Sequence, residues 1–227
     1  MDEQNKENEK APEKNNISSV IDRLVSAIVK PPPPPRVSLK TVEDVGMRMV
    51  SFGYQMSEWS VKVLVDYLKG YNLCLRGKPG VGKTFFFECM SKFRISQDKS
   101  PIVKLSMVET QGWTMEMTRD WVDETRDYDV LIDDVGTEPL EMVSYGQRVD
   151  LFPYLLEKRM QLTCNRTHMT SNLGDNDIFK RYGWRIWDRL RQMFKIHDFP
   201  NEIGGVETKS RRSAKPWKRV RDGAGAV

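Results

Sequence analysis

Residues 77–84 read Gly77-Lys78-Pro79-Gly80-Val81-Gly82-Lys83-Thr84, and this stretch decides the fold. It is a complete G-x-x-x-x-G-K-[ST] phosphate-binding loop. The glycines let the backbone curl so that its N–H groups face an anion that side chains would otherwise block. Lys83 is placed to set a positive charge against β- and γ-phosphates, and the Thr84 hydroxyl to ligate Mg²⁺. A helix beginning at this point turns the positive end of its dipole toward the anion. The flanks agree with this reading. Residues 71–76 read as a buried strand entering the loop, and residues 83–93 as an apolar helix leaving it. Gly77, Pro79, Gly80, Val81, Gly82, Lys83 and Thr84 are therefore the candidate nucleotide-binding residues.

Working outward, Val130-Leu131-Ile132-Asp133-Asp134 brings two carboxylates to the end of an apolar strand, with Asp133 fifty residues after Lys83. Asp133 is expected to hold Mg²⁺ through water, and Asp134 to orient the attacking water. The plainer alternative is an acidic turn after a strand. No N-K-x-D base-reading motif follows, so ATP is expected rather than GTP. Met169-Thr170-Ser171-Asn172 closes another strand, which should lie between the two motifs in a sheet with the phosphate loop at its centre. Asn172 would either bond the water or the γ-phosphate, or cap the following turn. Arg181, Arg185 and Arg189 are spaced i, i+4, i+8. On one helix face they are either a solvated row or a source of a finger for a neighbouring subunit's γ-phosphate.

The chain has 227 residues, 39% hydrophobic and 30% charged, which suits one α/β core with polar extensions. No apolar run approaches the roughly 18–20 residues of a membrane span, so no membrane association is expected. The Glu/Lys/Asn-rich start is not a secretory signal, and a cytoplasmic location is expected. Cys74, Cys89 and Cys164 are isolated and read as reduced thiols of the core. No Cys/His cluster has zinc spacing.

Five strands are predicted, at residues 71–76, 101–107, 129–134, 161–171 and 194–199. Helices are predicted mostly across 37–68 (clearest at 54–69), and at 83–93, 113–126, 146–160 (interrupted or started around Pro153), 175–181 and 184–193. This alternation implies a parallel sheet covered on both faces. Residues 1–16 are expected to be disordered. In residues 17–30, Ile17, Val20, Ile21, Leu24, Val25, Ile28 and Val29 form an apolar stripe at helical spacing. A polyproline spacer at 31–36 follows, then the main domain at 37–208 and a basic tail at 209–227. The 17–30 helix is expected to dock on a partner, the alternative being that it folds back on its own domain. The tail crowds seven basic residues around Trp217. It is either a nucleic-acid contact or a solvated end.

Taken together, residues 77–84, 131–139, 170–173 and 183–191 resemble the AAA+ ATPases of the bacterial helicase-loader group, the DnaC/DnaI type, and their IstB-like transposition-helper relatives. The resemblance spans roughly residues 54–212. It implies a P-loop NTPase three-layer sandwich with a central five-stranded parallel sheet, and ATP and Mg²⁺ as cofactors. It implies hydrolysis at the subunit interfaces of a homo-oligomer that assembles on single-stranded DNA and delivers a replicative helicase, engaged through residues 17–30. A transposase partner is the alternative, and a monomeric nucleotide kinase a more distant one.

By the same resemblance, Lys83 and Thr84 match the Walker A lysine and metal ligand. Asp133 matches the Walker B aspartate, Asp134 the catalytic acid and Asn172 sensor 1. Arg189 matches the trans-acting arginine finger, ahead of Arg185. Sensor 2 falls in Ser210-Arg211-Arg212, on Arg212 or alternatively Arg211, and the usual aromatic is missing there. Asp134 stands where many relatives have Glu, which implies slow, switch-like turnover. Lys104, Trp113, Arg119 and Trp121 are candidate strand contacts, with a solvated face the alternative for each.

Overall fold

The computed structural model describes residues 35–139, 142–144, 147–161, 165–200, 202–203 and 206–207. The elements run α1 (Leu39–Ser51), α2 (Glu58–Leu68), β1 (Leu73–Arg76), α3 (Lys83–Ile95) and β2 (Val103–Ser106). A 3₁₀ turn at Met107–Thr110 leads to α4 (Met115–Glu124) and β3 (Val130–Val135). Then come β4 (Met142–Ser144), β5 (Gln147–Val149), α5 (Leu151–Gln161), β6 (Thr167–Ser171), α6 (Asp175–Met193) and β7 (Lys195–Asp198). The two-residue strands β8 (Glu202–Ile203) and β9 (Val206–Glu207) pair with each other.

The fold is α/β, with a five-stranded sheet of order β2-β3-β6-β1-β7 in which every pairing is parallel. As the sequence predicts, β6 lies between the strands that carry the two motifs. A sheet buried on both sides needs apolar side chains pointing both ways. β1 supplies them in alternation, with Leu73 and Leu75 in one core cluster and Cys74 in the other. Leu131 and Ile132 of β3 divide likewise. One face is covered by α1, α2 and α3 through Met49, Val63, Leu64, Phe86 and Met90. The other is covered by α4, α5 and α6 through Val122, Leu155, Ile178, Ile186 and Leu190.

Local chemistry starts the helices. Ser38 caps α1 by accepting from the Thr41 N–H at 3.1 Å. Ser57 and Ser60 form a reciprocal capping box on α2, with bonds of 3.2 Å and 2.6 Å. Cys74 and Cys89 are buried, and burial pushes their thiols up to about 12 and about 11, which keeps them unreactive. No helix among the described residues is long and apolar enough to cross a membrane.

Three expectations need correction. The helix expected over 146–160, interrupted or started around Pro153, begins at Leu151, because the chain first folds back as the antiparallel β4–β5 pair. Pro153 sits in the first turn of α5, where a missing N–H costs little. The strand expected over 161–171 is confined to Thr167–Ser171, and Gln161 still belongs to α5. Finally, α6 is interrupted at Gly183, with φ 79° and ψ 169°, as the separate 175–181 and 184–193 helices anticipate. Arg181 therefore does not share a helix face with Arg185 and Arg189, and the i, i+4, i+8 row does not exist. The expectations for residues 1–16 and 17–30, Cys164, most of the polyproline spacer and the 209–227 tail, Arg212 included, lie outside the described residues.

Arg159 ties these layers together. It is almost wholly buried in α5, and donates to Thr125 O at 3.0 Å, Asn165 O at 3.1 Å, Tyr128 O at 3.3 Å and Thr167 Oγ1 at 3.1 Å. Replacing Arg159 by Met leaves these buried acceptors without those donors. Chemical denaturation should show a loss of about 2–4 kcal/mol. Arg159→Lys should recover only part of it, because the planar fork is gone. A loss under about 1 kcal/mol for Arg159→Met would contradict the assignment.

Candidate functional site

The phosphate loop leaves the end of β1 through three glycines in the left-handed region: Gly77 at φ 144°, Gly80 at 82° and Gly82 at 105°. Gly77 is also required by contact, since a Cβ there would lie 2.7 Å from Phe199 Cβ. Val81 turns inward and is buried. Gly82 precedes the first residue of α3, so Lys83 and Thr84 occupy that helix's first turn.

Lys83 is buried, and three oxygens surround its ammonium. Nζ donates to Gly77 O at 2.7 Å, Lys78 O at 2.9 Å and Asn172 Oδ1 at 2.8 Å. Asn172 follows directly on β6, the strand beside β1. The sheet order thus brings together two residues that are 89 positions apart.

A second contact joins α3 to β3. Thr84 Oγ1 donates to Asp133 Oδ1 at 2.8 Å. Thr170 Oγ1 donates to the same carboxylate oxygen at 2.6 Å and accepts from the Asp134 N–H at 2.9 Å. The β3–β6 register shifts between Ile132 and Val135, and Asp134 takes φ 57°. Bulges of this kind re-aim side chains at the end of a strand, and aspartate tolerates the left-handed region better than most residues. Thr170 therefore braces both carboxylate residues through one hydroxyl.

Lys83, Thr84, Asp133, Asp134 and Asn172 line one cavity of about 810 Å³, together with Pro79, Gly80 and Gly82 of the loop. The hydroxyl of Thr84 and the carboxylate of Asp133 are adjacent hard oxygen donors, which suits Mg²⁺. Among the described residues no group of three or more His, Cys, Asp or Glu could hold a metal ion. A divalent ion at Thr84 and Asp133 would accordingly complete its shell with phosphate oxygens and water.

The cavity also contains residues that the motifs do not announce. Gln55, Glu88 and Lys104 line it, and Lys104 Nζ lies 3.9 Å from Glu88 Oε1. Lys104 therefore stands in the cavity wall. Trp113 and Trp121 are partly buried against the core with ring centroids 6.4 Å apart, so their packing accounts for them. Arg119 is exposed beside Asp120. Thr170 was detectable in principle, since it stands two residues before Asn172 on the same side of a strand.

The arginines of α6 have separate fates. Arg181 pairs with Glu138 at 3.5 Å, and Glu138 is itself buried, accepting from the Tyr182 hydroxyl and the Gly136 N–H. Arg189 Nη1 lies 3.7 Å from Glu157 Oε1 on α5 and is not in the cavity wall. Arg185 is exposed.

No protein-family model and no curated protein matches the chain. Solved structures are similar to it, two of them as follows. One is the DnaC helicase loader, 15% identical over 70% of this chain and 99% of that one, with a TM-score of 0.48. The other is AMPPCP-bound DnaA from Aquifex aeolicus, 16% identical over 71% of this chain and 51% of that one, with a TM-score of 0.46. Likeness this distant carries nothing about the site, and its chemistry rests on the chain's own residues.

Thr170→Val keeps the shape of the side chain but removes its hydroxyl. The Asp134 N–H loses its acceptor and Asp133 loses a donor. Urea unfolding should show a loss of about 1–3 kcal/mol, largely restored in Thr170→Ser. A Thr170→Val variant as stable as the parent would show that the hydroxyl does not brace this strand end.

Proposed function

We propose that the chain is an ATP-binding and ATP-hydrolysing AAA+ protein of DNA replication, of the helicase-loader kind. The observation that carries this reading is the convergence of four side chains from three elements. Lys83 Nζ lies 2.8 Å from Asn172 Oδ1, and Thr84 Oγ1 lies 2.8 Å from Asp133 Oδ1, on the wall of a single cavity.

In this reading the N–H groups of the loop and the ammonium of Lys83 bind the β- and γ-phosphates. Thr84 and Asp133 would hold Mg²⁺, which when bound would offset phosphate charge. Asp134 accepts a hydrogen bond from the attacking water and orients it in line. Asn172 donates from its amide nitrogen to that water or to the γ-phosphate, while its oxygen faces Lys83. The aspartate side chain is one methylene shorter than glutamate and reaches the water less well, so turnover should be slow, below about 10 s⁻¹. A cation from a neighbouring protomer completes the site. Arg189 and Arg185 are its two candidates, and Arg185 is the more exposed of the two. Assembly on single-stranded DNA and delivery of a helicase through residues 17–30 complete the proposal.

The test is ATP hydrolysis measured against protein concentration, with and without single-stranded DNA. Wild type should turn over faster per protomer as concentration rises, and faster again with DNA. Arg185→Ala or Arg189→Ala should be inactive alone, and the responsible one should regain activity when mixed with Lys83→Ala, because each dead protomer supplies what the other lacks. A rate per protomer that ignores concentration, DNA and both arginines would overturn the shared-site reading.

A further inference from the structure

We infer that Arg76 is a positioning residue that makes α6 respond to the phosphate loop, an inference that rests on the nucleotide-binding reading above. Arg76 is the last residue of β1, directly before Gly77, and its side chain is buried. A buried guanidinium is costly unless its donors are satisfied. Here Nε and Nη2 donate to Asp198 Oδ1 and Oδ2 at 2.8 Å and 2.9 Å, a fork on the last residue of β7. Nη1 donates to Asp175 Oδ1, on the first residue of α6. The hydrogen bond from Arg76 holds the Asp175 carboxyl below its ordinary range. The guanidinium is absent from the cavity wall. Its donors go to two neighbouring chain segments rather than toward a phosphate.

Those segments are the ones that the site would disturb. Asp175 lies three residues after Asn172, whose Oδ1 accepts from Lys83. The backbone is tied at the same place: the Gly77 N–H donates to Ser171 O at 3.2 Å, and the Phe199 N–H to Arg76 O at 2.6 Å. The 172–174 connection is thus held at one end by β6 and at the other by Arg76. A phosphate that draws Lys83 Nζ away from Asn172 Oδ1 frees Asn172 within a loop clamped at both ends. Its movement is then passed to the first turn of α6 instead of being lost in slack chain. Arg185 and Arg189 follow in the separate helical segment beyond the break at Gly183.

The experiment uses the full chain with Arg76→Lys, Asp175→Asn and Asp175→Glu. Arg76→Lys keeps the charge and loses the fork. Two quantities are read at a temperature where circular dichroism shows each variant folded: Kd for a fluorescent non-hydrolysable ATP analogue, and kcat. Arg76→Lys and Asp175→Asn should hold Kd within about threefold while kcat falls about tenfold or more. Asp175→Glu, which restores the carboxylate, should recover most of that kcat. If kcat is unchanged, or if affinity and kcat are lost together in step with thermal stability, Arg76 is merely a structural tie and the inference is wrong. If wild type itself does not bind the analogue, the nucleotide reading fails first and this inference falls with it.

Discussion

A buried ammonium must be surrounded by oxygen, and the adjacency of β1 and β6 adds to what the Lys83 loop can supply. Gly77 O and Lys78 O of that loop accept from Nζ, and so does Asn172 at the end of the adjacent strand. In the order β2-β3-β6-β1-β7, the ends of β3, β6 and β1 meet at one edge of the sheet. That edge holds the acids, the amide and the phosphate loop within one cavity. The two apolar faces bury different residues of each strand, which leaves the strand ends as the place where polar side chains gather.

The neighbourhood of the loop is braced from two sides. On the β3 side, one hydroxyl, Thr170 Oγ1, bonds Asp133 and receives the Asp134 N–H. This steadies a bulged strand end that would otherwise leave a backbone donor unpaired. On the β7 side, the absence of a Cβ at Gly77 admits Phe199, while Arg76 grips Asp175 and Asp198. Phe199 packs on Trp59 of α2 at 4.4 Å between ring centroids, so the brace continues into the helical layer. The loop is in this way seated against β6, β7 and α2, and in the proposed reading that seat preorganises its N–H groups.

Much of this was legible in the residues. The strand–loop–helix around Lys83 is local, and its motif demands that order. The run Val130-Leu131-Ile132 announced a buried strand ending in acids, and the position of β6 between the two motif strands followed from it. What was not legible depends on long-range partners. Arg76 looks like the polar end of an apolar strand until Asp175 and Asp198 are seen beside it. Arg189 looks free until Glu157 of α5 is placed near it. Trp113 and Trp121 read as a surface until α4 is rotated onto the sheet. Gly183 separates two helical segments, as its place in the sequence suggests, and the i, i+4, i+8 spacing of the arginines has meaning only on an unbroken helix.

The central claim is that Lys83, Thr84 and Asp133 form a site for ATP with its divalent ion. Isothermal titration of a non-hydrolysable ATP analogue into the full chain tests it most directly, with and without Mg²⁺, for wild type, Lys83→Ala and Asp133→Asn. Saturable one-site binding by wild type is predicted, weakened about tenfold or more without Mg²⁺ and lost in Lys83→Ala. Asp133→Asn should bind the analogue but lose most of the Mg²⁺ dependence. Binding that is unchanged in Lys83→Ala, or no binding by a folded wild type, would contradict the account.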